Sequence, residues 1–365
     1  MTTLKPYQDH IQMWQKELRD WVPNRIFDAH IHLGPAAAMG PITPQRRKEA
    51  LCTFTSFDFE ELFAFYERLF SGKKITGLLA FPFPLREVNY QLANEYVAQL
   101  TQKDRRVRGL ILSNPYNTRE TIREYESARK SGIRYVGVKP YYDLVGKAIP
   151  HSVLHTSIAE FVPEDLLEFM NSESLILMLH TGRIGMGDPE CQQWVRQTAH
   201  NYPRIRIILA HMGRYYQEDQ FEAFIKTDVL DSPSVYLETS SASLPNVYRL
   251  TLARPELRKR LLFGSDLPFG AITGVEYSDE NTVSTFLTRD TYDWTDPEIE
   301  IKFQRERMRL TYNVYHVIRA LKTAIDELDL LEADKLKLKQ NVFLENAMDM
   351  LSEGNSESRV PRALR

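Results

Sequence analysis

Eight short apolar, β-branched runs alternate along this chain with amphipathic segments, and that alternation constrains the fold more than any single residue does. The runs are Arg25–Leu33, Ile75–Phe81, Val107–Ser113, Tyr135–Lys139, Leu175–His180, Ile205–His211, Val235–Thr239 and Leu261–Asp266. Between them, helical periodicity covers Asp58–Phe70, Leu85–Gln102, Thr118–Ser131, Pro163–Asn171, Pro189–Asn201, Glu218–Thr227 and Pro245–Lys259. Asn117-Thr118-Arg119-Glu120 carries helix-start chemistry, a capping oxygen ahead of an acidic first turn. Leu175-Ile176-Leu177-Met178-Leu179 is apolar at every position, as a strand covered on both faces must be. Eight βα units predict an α/β fold, a single (β/α)8 TIM-type barrel.

Loop lengths point the same way. Links from helix to next strand are tight, as at Ser131-Gly132-Ile133 and Asn201-Tyr202-Pro203, whereas links leaving the strands are long: Gly34–Phe57, Pro140–Val162, and Leu267 into the 290s. In a barrel the long set lies on the C-terminal face, where active sites are built.

Composition sets limits. At 365 residues and 43% hydrophobic, the chain can fill one large barrel with decoration at its ends. The barrel unit is expected over residues 1–351, with an N-terminal helix around Tyr7–Asp20 and further C-terminal helices over Asp296–Lys322 and Asp334–Leu351. These last helices either close the barrel or cover a partner subunit in a homodimer. The polar end, Ser352–Arg365, is expected to be flexible. A net charge of -3 gives no reason to expect nucleic acid or a membrane surface as partner. Cys52 and Cys191 lie far apart without CxxC spacing, and the N-terminus has no continuous apolar stretch, so a reduced, cytoplasmic setting is expected.

Chemistry enters at Asp28-Ala29-His30-Ile31-His32. Residues two apart on a strand share a face, so His30 and His32 emerge side by side, in the manner of a cation site. Further polar residues end later strands: Lys139 the fourth, His180 the fifth, His211 the sixth, Asp266 the eighth. Any one alone is more often a satisfied polar group, but their joint occurrence at strand ends is hard to dismiss.

In this order, Asp28-Ala29-His30-Ile31-His32-Leu33-Gly34-Pro35, Gly137-Val138-Lys139-Pro140, His180-Thr181-Gly182, His211-Met212-Gly213 and Gly264-Ser265-Asp266-Leu267-Pro268 resemble the amidohydrolase superfamily of metal-dependent enzymes. The branch most similar includes aminocarboxymuconate-semialdehyde decarboxylase, and Glu345-Asn346-Ala347 is a weaker echo near the end. The resemblance implies that His30, His32, His180 and Asp266 bind one divalent ion, zinc first, with manganese or another divalent metal as alternatives. His211 would then act as acid/base or hold the attacking water. Three imidazoles and a carboxylate leave a position for that water, and Asp266 can both bind the ion and accept a proton. Asp28 is read as support for a ligand.

Lys139 is open to two readings: a free ammonium contacting a substrate carboxylate, which is preferred, or a carboxylated lysine bridging a second metal. Arg183 and Arg214 each follow a site histidine by three residues, and with Lys139 they suggest an anionic small-molecule substrate. Glu238 is a candidate partner for one of these cations. His151 and His155 lack the glutamate of HExxH and read as loop histidines. Hydrolysis of an amide, ester or lactone bond is the expected reaction. Non-oxidative decarboxylation of an aromatic or unsaturated acid is the close alternative, and a non-catalytic binding barrel the remote one.

Overall fold

The computed structural model describes residues 8–50, 52–146, 156–182, 184–215, 217–279 and 282–356. All eight expected strands form, as β1 (Arg25–His32), β2 (Lys74–Phe81), β3 (Val107–Leu112), β4 (Tyr135–Lys139), β5 (Ile176–Leu179), β6 (Arg206–Leu209), β7 (Val235–Glu238) and β8 (Leu261–Leu262). They pair in parallel, in sequence order. The ring closes through Ala29 N–H to the Phe263 carbonyl at 2.8 Å, Asp266 N–H to His30 at 2.9 Å and His32 N–H to Leu267 at 2.9 Å. The architecture is a (β/α)8 barrel.

The intervening helices form where periodicity and capping place them. Asp58 caps Phe59–Leu69 in a reciprocal box with Glu61, and the Asn117 side chain accepts from Glu120 N–H at 3.2 Å. Inside the barrel, Phe27, Leu79, Leu110, Met178, Ile208 and Leu262 pack with Leu344, Ala347 and Met350 of the C-terminal segment. That segment therefore plugs the N-terminal end of the barrel. Asn346, from the motif echo, donates its Nδ2 to the carbonyls of Leu261 at 2.8 Å and Arg258 at 2.9 Å, which pins the plug to β8.

Three expectations at the periphery change. The N-terminal helix is α-helical only over Gln8–Met13 and widens to a π turn over Trp14–Leu18. The stretch read as one helix over Asp296–Lys322 breaks into Pro297–Lys302, Gln304–Arg307 and Asn313–Asp326. The long connection after β8 folds into an antiparallel hairpin of β9 (Gly274–Asp279) and β10 (Thr282–Thr288). At the C-terminus the last helix runs Asn346–Ser356, so the expected flexible tail begins helically, and its remainder lies outside the described residues. No described helix is long and apolar enough to cross a membrane.

Candidate active site

β1 delivers His30 and His32 on one face of the strand, and Asp266 arrives from the turn after β8. His30 Nε2 lies 3.3 Å and His32 Nε2 3.1 Å from Asp266 Oδ1, so three of the four expected ligands converge. His30 is fully buried, His32 and Asp266 nearly so. Burial holds the pKa of both imidazoles well below the usual histidine value, leaving them neutral, the form that binds metal. His30 Nε2 and Asp266 Oδ1 have no hydrogen-bond partner among the described residues. Buried polar atoms are rarely left so, and a nitrogen–nitrogen–oxygen donor set facing inward fits a divalent ion.

A directional chain of hydrogen bonds fixes the tautomers around this centre. Arg214 can only donate, and its Nη1 lies 3.2 Å from His180 Nε2, so that nitrogen accepts. The proton of His180 is then on Nδ1, which faces His211 Nε2 at 3.2 Å. His211 Nδ1 meets Ser240 Oγ at 2.8 Å, and Ser240 Oγ donates to Glu238 Oε2 at 2.7 Å. Glu238 Oε2 also accepts from His30 Nδ1 at 2.9 Å, which leaves the His30 Nε2 lone pair aimed at the ligand space. Burial lowers the His211 pKa to about 4 and holds His180 far below the ordinary value, so both are neutral bases.

Glu238 is thus the hub. Its charge acts on Lys139, one of the cations it is read against in the sequence, while its hydrogen bonds take a role that sequence reasoning missed: it orients His30 and accepts from His211 N–H at 3.3 Å and from Ser240 N–H at 2.5 Å. The signal lay in Gly264: a Cβ there would run into the Glu238 carboxylate and come within 2.9 Å of His30 Cβ. Asp28 takes the supporting place expected of it, accepting from Ser265 N–H at 2.9 Å, His30 N–H at 3.2 Å and Tyr66 O–H at 3.0 Å. Burial lifts its pKa to about 7. His211, Arg214, Ser241 and Asp266 all adopt positive φ, between 55° and 62°. Such backbone persists only where surrounding bonds over-determine it, as they do here.

The other expected residues fall differently. His180 is not in the tight cluster; its Nε2 faces Arg214 and its Nδ1 faces His211. Lys139 is fully buried, its Nζ without a hydrogen-bond partner among the described residues and 4.7 Å over the Phe81 ring; among the described residues it is not one that lines the cavity. Burial lowers its pKa to about 7. Arg183, His151 and His155 lie outside the described residues. Arg214 reaches the cavity while also bonding the Thr181 carbonyl at 3.0 Å. The cavity itself, about 500 Å³, opens above His32, His180, His211 and Asp266 between Phe83, Tyr141, Tyr142, Phe269 and the hairpin. The hairpin wall, with Glu276 on it, was missed by sequence reasoning, although Gly274–Thr288 alternates in strand fashion around a polar turn.

The amidohydrolase family model matches residues 80–351, and the chain belongs to that family. The match starts after His30 and His32, so those two rest on the geometry. No curated protein matches the sequence. Among solved structures, the chain is similar to an amidohydrolase 2 from Bifidobacterium longum subsp. infantis, at 13% identity and TM-score 0.50, covering 90% of this chain and 99% of that one. It is equally similar to a TIM-barrel protein from Bordetella bronchiseptica, at 12% identity and TM-score 0.50, covering 91% and 99%. An IDCase from Metarhizium anisopliae follows at 12% identity and TM-score 0.48, covering 90% and 97%. At such identities the likeness concerns the fold.

Proposed function

We propose that the protein is a metal-dependent hydrolase acting on an amide, ester or lactone bond of a small, ring-bearing substrate. The observation that carries this reading is the convergence of His30, His32 and Asp266 with unsatisfied inward-facing atoms at the floor of an aromatic-walled cavity. These three would hold a divalent ion, zinc first. When bound, such an ion supplies Lewis acidity, polarising a carbonyl and acidifying water. His180 joins as a fourth ligand only by giving up Arg214, since a ring nitrogen that accepts from guanidinium obliges the other to carry the proton.

The chain's own groups do the rest. His211 is neutral, with its Nδ1 proton committed to Ser240, so Nε2, once released by His180 Nδ1, is the base that takes a proton and returns it to a leaving group. Asp266 Oδ2, steadied by Ser241 Oγ at 3.3 Å, is the second carboxylate oxygen free of the ligand cluster and accepts a proton alongside it. Glu238 offsets positive charge developing on His211 through Ser240. Arg214, at the cavity edge, binds a substrate anion once released from His180. Phe83, Tyr141, Tyr142 and Phe269 exclude water and grip a flat ring.

Decarboxylation of an aromatic acid is the second reading, favoured by those same aromatic walls. The test is a screen of metal-loaded enzyme on carboxylated lactones, N-acyl compounds and hydroxybenzoates, with carbon dioxide followed beside hydrolysis. Water addition without carbon dioxide supports the hydrolase; carbon dioxide release without water addition, abolished in His211→Ala, replaces it with the lyase.

A further inference from the structure

The loop after β7 places three serines on three acids. Ser240 Oγ donates to Glu238, Ser241 Oγ to Asp266, and Ser243 N–H to Glu276 Oε2 at 3.1 Å. Ser241 and Ser243 are two residues apart on one loop, and the acids they hold, Asp266 and Glu276, line the same cavity. The β9 carboxylate of Glu276 thus shares the cavity with the catalytic floor and has no part in the proposed reaction.

Glu276 is a built position. Tyr215 O–H, from the loop after β6, donates to Oε2 at 2.9 Å beside Ser243 N–H from the loop after β7, and the Glu276 backbone N–H returns a bond to Ser243 Oγ at 3.1 Å, so two loops fix this position. Both of its side-chain bonds fall on Oε2. Oε1 makes none among the described residues, and Glu276 lines the cavity in company with Ile272, Phe286 and Leu287. With its bonds all on Oε2, the carboxylate leaves Oε1 to accept a donor from a ligand in the cavity, and it disfavours a second anion at that end.

We propose that Glu276 is a specificity-determining residue, accepting a hydrogen bond from a hydroxyl or ring N–H of the substrate at the hairpin wall of the cavity. The inference rests on the proposed reading in placing the substrate in this cavity with its reacting bond at the histidines. Burial, which raises the Glu276 pKa to about 7, accords with a carboxyl kept largely from water until a ligand meets it.

The test is binding, read by titration calorimetry on the metal-loaded full chain. The probes are 2,3-, 2,4- and 2,5-dihydroxybenzoate, each against the derivative whose second hydroxyl is methylated and so cannot donate. Wild type should prefer at least one hydroxyl compound over its ether by about tenfold or more, the size of a bond to a charged acceptor. Glu276→Gln should reduce that ratio, Glu276→Leu should bring it to about one, and Tyr215→Phe should leave it standing. Because each figure is a ratio within one variant, a general loss of stability cancels. No discrimination in wild type, or a preference that survives in Glu276→Leu, overturns the inference. Metal content measured on the same samples separates the two claims: a metal-loaded wild type that discriminates no pair sinks Glu276 alone, whereas a chain that holds no metal sinks the reaction reading.

Discussion

Replacing Glu238 by glutamine should weaken metal binding while leaving the chain folded. The carboxylate accepts from His30 Nδ1, Ser240 Oγ and His211 N–H on Oε2, and from Ser240 N–H on Oε1. An amide has one accepting oxygen. Turned to serve the three donors on Oε2, it sets its NH2 against Ser240 N–H, and one unsatisfied buried donor costs about 1–3 kcal/mol. Burial already raises the Glu238 pKa, so neutralising the side chain relieves desolvation and returns part of that loss. His30 meanwhile loses a charge-assisted partner that fixes its tautomer, a change that ordinarily costs about 10–100-fold in metal affinity, or about 1.4–2.8 kcal/mol. Competition with a chromophoric chelator for zinc measures the affinity, and thermal unfolding of the metal-free protein measures the fold. Unchanged zinc affinity in a folded Glu238→Gln protein would refute the claim that Glu238 sets the His30 ligand.

Further outcomes follow from the same geometry. Phe343→Ala should destabilise the chain by about 3–5 kcal/mol in denaturant titration, because the fully buried ring stacks on Phe263 and meets Trp21 edge-on. His211→Ala should abolish turnover while metal analysis shows the ion retained. Glu276 titrates near 7 when folded, above its ordinary value, so its ionisation burdens the folded state progressively as pH rises from about 4.5 to 7. Glu276→Gln should therefore gain stability relative to wild type across that window, read by melting temperature at pH 5 and pH 8. Chelation should lower the melting temperature, since an ion held at 100 times its Kd contributes about 2.7 kcal/mol to the folded state.

The barrel was legible because strands covered on both faces read as predominantly apolar runs at regular intervals, of which Leu175–Leu179 is the clearest. The strands prove shorter than those runs at their C-terminal ends because His180, His211 and Asp266 leave the ladder to point into the cavity, two of them through positive φ. His30, His32 and Asp266 could be grouped in advance, since strand-end position alone carries them to one face. What joins them could not: Ser240, Glu238 and Arg214 interact through side-chain hydrogen bonds between neighbouring loops, and no periodicity encodes such bonds. Lys139 shows the same limit, as strand position puts it at the barrel mouth but does not place its amine over the rings of Phe81 and Tyr141. The hairpin is hard to read in advance because a long connection after the last strand resembles a loop, and only Val275-Glu276-Tyr277 alternates plainly.

The most direct test of the central claim is the metal stoichiometry of the purified chain, measured by elemental analysis before and after incubation with zinc or manganese. The account predicts about one divalent ion per chain, lost when His30 and Asp266 are both replaced by alanine in a protein that still folds. A wild-type chain that carries no such ion and cannot take one up, or a double variant that keeps it, would contradict the account.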